Sequence, residues 1–276
     1  MLTKSQNDGL GGLVAVVTGG TGVLGGEIAL GLAAAGARVG VLGRNRARAD
    51  ATVGRIIAAG GEAIALIGDV LRVDELQSAK SLIHDTWGNI DILVNAAGGH
   101  VQEALTTADR SFFDLPQEAL QAVIDLNLMG TILPSQVFGA SMADASPDRA
   151  SGSIINISSM AAERAITRVV GYGAAKAGIN NFTLWAACEL ARGARPIRVN
   201  AVAPGFFVAE TNKTLLMDDA GPTERGHTII SRTPAGRFGD PRELVGAVVW
   251  LASKESSFVT GTIIPVDGGF SAFSGV

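Results

Sequence analysis

The sequence runs to 276 residues, 47% hydrophobic and 17% charged, which excludes a disordered chain and fits one hydrophobic core better than two. A net charge of −4 lacks the basic excess of a nucleic-acid binder, and a single cysteine, Cys188, excludes an intramolecular disulfide and points to a reducing, cytoplasmic setting. The opening MLTKSQNDGLGG carries no apolar leader and reads as a flexible segment over residues 1–12, and no unbroken apolar run suits a membrane span.

LVAVVTGG (13–20) is a β-branched run ending in glycines, the pattern of a buried parallel strand. LGGEIALGLAAAGA (24–37) has helical composition and stops at Gly36, and ARVGVLG (37–43) is a second strand. The cycle repeats with a helix at 49–60, a strand at 62–70, a helix at 73–88 and a strand at 90–98. Residues 116–143 read as one long helix, with Pro134 kinking it or ending a turn. GSIINISS (152–159) is a fifth strand, 171–192 a helix, 195–205 a sixth strand, 241–253 a helix, and TGTIIPVDGG (260–269) a seventh strand. Strands alternating with helices predict an open, doubly wound parallel sheet of about seven strands, helices on both faces, in a single α/β domain. The irregular stretch from Gly205 to Gly239 is expected to be a substrate lid.

Chemistry enters at TGGTGVLG (18–25), where Gly20, Gly22 and Gly25 spell GxGxxG between a strand and a helix. Glycines there permit a tight turn and let a pyrophosphate reach a helix N-terminus. About 20 residues on, where an acid would bind the adenosine ribose of NAD, LGRN places Gly43 and Arg44 instead. An arginine can pair with the 2′-phosphate of NADP, so the NAD(P) reading leans to NADP; the alternative is a solvated basic loop of Arg44, Arg46 and Arg48. In YGAAK, Tyr172 and Lys176 stand four apart on a helix, so an ammonium can sit near a phenol and draw its pKa down. A tyrosine so tuned can act as a general acid or base; otherwise the two are ordinary surface neighbours.

On these residues the chain resembles the short-chain dehydrogenase/reductase family over nearly all of 13–269, which implies a Rossmann-type sheet and a nicotinamide cofactor. TGGTGVLG is similar to the family's TGxxxGxG, except that Val23 replaces its second glycine and Gly22 precedes it. The resemblance implies cofactor contacts at Gly19, Thr21, Gly22, Val23, Leu24 and Gly25, and at Arg44 and Asn45. Asp69 and Val70 match the pair that meets the adenine, and NAAG (Asn95, Ala96, Ala97, Gly98) the segment beside the cofactor. Pro204 and Gly205 match a PG turn, after which Phe207 would lie on the nicotinamide; Ala209 falls where the family often has a threonine bonding the carboxamide. Asn127 in DLNLMG matches the active-site asparagine, and Ser159, 13 residues before Tyr172, matches the catalytic serine better than Ser158. The implied roles are substrate orientation by Ser159, proton transfer by Tyr172, a lowered Tyr pKa and a held ribose from Lys176, and a positioned water at Asn127.

The segments 98–115, 203–216, 223–244 and 256–276 are similar to the D-mannonate oxidoreductases, or fructuronate reductases, which implies interconversion of D-fructuronate and D-mannonate. Such a substrate needs a cation for its carboxylate and dispersed polar groups. Arg164 is the first candidate and His100 the second, followed by Asn212, Lys213 and Arg225. No Cys/His/Asp cluster suggests a metal. The alternatives are another polyol, ketose or 3-oxoacyl substrate, or a dinucleotide sensor without catalysis. The family often forms homotetramers, and the apolar tail FSAFSGV (270–276) is expected to pack on a neighbouring subunit.

Overall fold

The protein is described by a computed structural model over residues 9–144, 152–209 and 212–275; of the expected flexible segment 1–12, residues 1–8 lie outside it. The elements run β1 (Val14–Thr18), α1 (Val23–Ala34), β2 (Arg38–Gly43), α2 (Arg46–Ala58), β3 (Glu62–Ile67), α3 (Val73–Trp87) and β4 (Ile92–Asn95). There follow α4 (Gln117–Ile124), α5 (Gly130–Ala143), β5 (Gly152–Ile157), α6 (Val170–Leu190) and β6 (Ile197–Pro204). The chain closes with α7 (Lys213–Leu216), β7 (Met217–Asp218), β8 (Gly221–Pro222), α8 (Glu224–Ser231), α9 (Val245–Ala252) and β9 (Ile263–Val266).

Seven strands form one sheet in the order β3-β2-β1-β4-β5-β6-β9, every neighbouring pair parallel. β1, β4, β5 and β6 are buried along their whole length, as strands covered on both faces must be. Alternation along β1 feeds two cores. Ala15 and Val17 join Ile28 and Leu32 of α1, Ile56 of α2 and Val248 of α9. Val14 and Val16 join Leu76 and Ile83 of α3, Phe138 of α5 and Ala186 of α6 on the other face. Pro265, which cannot donate to a ladder, lies in the edge strand β9, where one side needs no partner. The order reverses between β1 and β4, so a crevice opens at their carboxyl ends, the place where such sheets bind ligands.

Two expectations need correction. The helix expected over 116–143 is interrupted, but not at Pro134, which lies buried inside α5. The break is a single π-helical turn, Asp125–Met129, which carries Asn127. Side chains add bonds to carbonyls around this break, Thr131 Oγ1 donating to Asn127 O and Ser135 Oγ to Thr131 O. The stretch 205–239 is not one irregular loop either, since α7, the β7–β8 ribbon and α8 build it. Short elements with few apolar residues give too weak a periodicity to be read from sequence. Among the described residues no helix is long and apolar enough to cross a membrane.

Candidate active site

β1 delivers the chain into a turn that only glycine can make. Gly19 has φ +62°, and a Cβ there would stand 2.7 Å from the Ala96 carbonyl oxygen. A Cβ on Gly25 would lie 2.3 Å from the Gly19 carbonyl oxygen, so the first turn of α1 packs directly on the loop. Gly22 caps α1 without a side-chain bond and no acid stands in its first turn, which leaves the leading N–H groups open to an anion. Thr18, which the motif reading passes over, braces this arrangement: its hydroxyl accepts from Ala96 N and Ala97 N, both at 3.2 Å. The backbone cradle and open helix terminus fit a dinucleotide pyrophosphate.

From the turn a cavity of about 620 Å³ extends in both directions. Gly19, Thr21, Gly22, Val23, Leu24 and Gly25 line its middle, with Ala96, Ala97 and Gly98 opposite and Pro204, Gly205 and Phe207 beyond. Toward one end stand Arg44, Asp69 and Val70, and also Arg48 and Arg55 of α2. The Arg44 side chain, 74% exposed, lies 3.7 Å from the Asp69 carboxylate. Two residues expected here are absent from the lining. Asn45 instead caps α2, accepting from Arg48 N at 3.0 Å. Asn95 points into the sheet, donating to Ser135 Oγ and Asn156 Oδ1 at 2.9 Å each, and Asn156 donates on to Thr183. That buried chain ties β4 to β5, α5 and α6.

At the other end β5 gives way to Ser158 and Ser159, and the first turns of α6 present Tyr172 and Lys176. Ser158 is committed to α6, donating to Asn180 Oδ1 at 2.5 Å. Ser159 accepts from Ala161 N at 3.1 Å, and its hydroxyl faces Tyr172 across the cavity wall. Lys176 is buried; its Nζ donates to Ile157 O at 2.7 Å and lies 5.5 Å from the centre of the Tyr172 ring. Asn127, fully buried and behind the lining, accepts from Gly99 N at 3.1 Å and donates to Gly99 O and Val123 O. Gly98 keeps the gap between them: a Cβ there would stand 2.7 Å from Asn127 Oδ1 and 3.4 Å from Lys176 Nζ.

The electrostatics differ from the expectation of a phenol drawn down by an ammonium. Burial pushes the Tyr172 phenol up, and the Ser159 hydroxyl pulls less strongly the other way. Burial lowers the Lys176 amine to about 7. Both charges are penalised by the same low-dielectric site, and the amine is turned to a carbonyl rather than to the phenol oxygen. His100 lines the cavity with its ring 4.4 Å from that of Tyr172; burial, then the Lys176 charge, lowers its pKa, and its Nδ1 is buried without a partner.

The remaining substrate candidates separate. Asn212 and Arg225 line the cavity; Arg164 and Lys213 do not. Asn212 bonds back to the segment after β6, accepting from Ala209 N and donating to Phe207 O. Arg164 reaches the C-terminal tail, its guanidinium donating twice to the Ser271 carbonyl. Lys213 is exposed at the start of α7. Within its own chain the tail is met by Phe206, whose ring stands edge-on to Phe270 at 5.2 Å. Among the described residues no group of acids, histidines and cysteines is placed to hold a metal.

The enoyl-(acyl carrier protein) reductase family model matches residues 21–271. An uncharacterized oxidoreductase of Bacillus subtilis is 44% identical over 280 aligned positions, 98% of this chain and 99% of the relative. A crystal structure from Haemophilus influenzae, provisionally assigned as a D-mannonate oxidoreductase and holding NAD, superposes with a TM-score of 0.90 at 39% identity, covering 99% of this chain and 100% of that one. A gluconate 5-dehydrogenase from Burkholderia cenocepacia, solved with NADP and tartrate, gives 0.84 at 32% identity, covering 97% and 99%.

Proposed function

The chain belongs to the short-chain dehydrogenase/reductase family of oxidoreductases, and we propose that it interconverts a keto sugar acid and its alcohol with NAD(P), the pair being D-fructuronate and D-mannonate. The observation that carries this reading is the single cavity joining the glycine turn to Ser159, Tyr172 and Lys176. A site for a dinucleotide thereby opens onto a site with a proton donor.

The cofactor is held by the backbone around Gly19–Gly25, by Asp69, Val70 and Ala96–Gly98, and by Pro204, Gly205 and Phe207, with Arg44 at the ribose phosphate of NADP. When bound, it supplies the hydride donor or acceptor. Ser159, beside Tyr172 in the cavity lining, orients the substrate oxygen. Tyr172 gives that oxygen a proton in reduction and takes one in oxidation; a well-placed general acid of this kind contributes roughly 10²–10⁴ in rate. Lys176, with a pKa near 7, can give up or take a proton at working pH and so restore the phenol. Both amide hydrogens of Asn127 are bound to protein carbonyls, so a water meeting its side chain is held at Oδ1.

A second reading, action on gluconate and its 5-keto form, is favoured by the similarity to the Burkholderia enzyme. One assay separates the two: follow nicotinamide absorbance with NADPH or NADH, offering D-fructuronate, 5-keto-D-gluconate and a 3-oxoacyl thioester. Turnover of D-fructuronate is expected to lead. Tight cofactor binding with no turnover on the panel would leave a dinucleotide sensor in its place.

The assembly proposed is a homotetramer. It is supported by Leu184 and Trp185 on α6, 46% and 60% exposed, and by Phe258 standing out before the edge strand β9. Size-exclusion of the protein with and without residues 270–276 tests it and the tail together.

A further inference from the structure

The cavity carries more positive charge at its substrate end than the catalytic group requires. Arg225, near the start of α8, lines it. Its Nη1 donates to Thr167 Oγ1 at 3.1 Å and its Nη2 to Thr167 O at 3.3 Å. Two of its five N–H groups are thus used to fix the plane of the guanidinium, and three remain. Neither Arg225 nor Arg168 forms an ion pair with a carboxylate among the described residues. The only acid that lines the cavity among those residues is Asp69, at the far end beside Arg44.

The corner before α6 is built to keep this charge in place. Arg168 has φ +78°, the one described non-glycine residue in the left-handed region, where a side chain persists only if its surroundings over-determine it. Two elements do so here. Thr106 N, from the loop after β4, donates to Arg168 O at 3.1 Å, and Arg225 grips the preceding Thr167. Burial lowers the Arg225 pKa, and the Arg168 charge lowers it further, as a neighbouring cation should. An anion would relieve both. The polar partners of Arg225 lie on Thr167 and not on Ser159 or Tyr172, so its guanidinium is held apart from the catalytic hydroxyls' own bonds.

We propose that Arg225, backed by Arg168, is the anchor for the substrate carboxylate, holding the acid end of a sugar acid while Ser159 and Tyr172 address its carbonyl. This rests on the reading of the substrate as a sugar acid. A planar fork already fixed on Thr167 loses little freedom when it binds, which favours arginine over lysine.

The test compares two acids, D-mannonate and D-gluconate, with their uncharged alditols, D-mannitol and D-glucitol, in the intact enzyme with saturating cofactor. Wild type should prefer the acids. Arg225→Gln should raise KM for the acid about tenfold to a hundredfold, the loss expected for a charge-assisted hydrogen bond, with kcat changed less than about threefold and the alditols unaffected. Arg225→Lys should recover part of the loss. A wild type that prefers the alditols overturns the sugar-acid reading and the anchor with it. A wild type that prefers the acids, with Arg225→Gln keeping the same preference and normal NADPH affinity, overturns the anchor alone. Should Arg225→Gln fail to fold, the exposed Arg168→Ala decides: a KM for the acid raised about two- to fivefold and more so at low salt supports the anchor, and an unchanged preference removes it.

Discussion

The two ends of the cavity are made of different material. The cofactor end is backbone: a glycine turn after β1, the leading N–H groups of α1 and the Ala96–Gly98 strand end, held together by Thr18. The end proposed for the substrate draws on distant pieces, the loop after β4, the corner before α6 and the helix α8, joined by Thr106 N on Arg168 O and by the Arg225 side chain on Thr167. Backbone built on adjacent parallel strands has almost no freedom to vary, whereas two loop segments and a short helix from distant parts of the chain can exchange residues without disturbing the sheet. One scaffold can therefore keep its cofactor and change its substrate.

The sharpest way to break this contrast is to crowd the backbone end. Gly25→Ala puts a methyl 2.3 Å from the Gly19 carbonyl oxygen, an atom that cannot swing aside. NADPH affinity, read by fluorescence titration, should fall by about a hundredfold or more, with roughly 1–3 kcal/mol lost from stability. Gly54→Ala, on the exposed face of α2 with nothing within 4 Å, is the control and should stabilise by about 0.5–1 kcal/mol. The next effect lies where the two ends meet. Tyr172→Phe should lower kcat about a hundredfold or more while leaving NADPH affinity nearly unchanged. Full activity in that variant would remove Tyr172 from proton transfer.

The same contrast governs what could be read before the fold was known. The succession of strands and helices, the glycine turn and the pair of Tyr172 and Lys176 follow from local spacing, because residues a few positions apart on one element stay together in space, whereas Ser159 comes from the family resemblance. Asn45 and Asn95 fit the motif by position, but their side chains are held by a helix cap and a buried network that depends on β5 and α6. Arg164 was favoured for being five residues from Ser159, and it instead meets Ser271, more than a hundred residues away. Arg168 gave no signal at all, since a positive φ in a non-glycine residue is imposed by tertiary partners. The pKa of Lys176 was equally hidden: spacing shows that two groups are near, but the sign of the shift depends on how deeply both are buried.

That burial has a measurable cost in the cofactor-free protein. The Lys176 amine falls from 10.5 when unfolded to about 7 when folded, so between about pH 7 and 10.5 the unfolded chain holds a proton that the native one has given up. The penalty is fully present below about pH 7 and fades as pH rises toward 10.5. At about 1.4 kcal/mol per unit it reaches about 5 kcal/mol, part of which is offset by the bond to Ile157 O. Lys176→Met should therefore stabilise the free enzyme by roughly 1–3 kcal/mol at pH 6.5, and the gain should be nearly gone at pH 10. Urea melts of both proteins across that range give the difference directly. A variant less stable than wild type at pH 6.5 would mean that the amine is not desolvated as its position indicates.

The smallest effect concerns the one side chain at the backbone end that is expected to choose between cofactors. Arg44 follows β2 on the cavity wall, and its present partner, Asp69, lies 3.7 Å off across an exposed gap. A pair so open to water is worth at most about 1 kcal/mol, so Arg44 is free to turn to a 2′-phosphate at little cost. Arg48 and Arg55 line the same end, and Arg55 is already engaged with Glu27 at 2.6 Å. The phosphate would therefore lose only part of its positive surroundings in Arg44→Ala. The KM for NADPH relative to NADH should rise about three- to tenfold, less so as salt is added, since the charges are exposed. An unchanged ratio would take the NADP preference away from Arg44. A ratio that moves only when Arg48 is also replaced would assign the choice to the first turn of α2, and the backbone end would then owe its selectivity to a helix face rather than to the strand end.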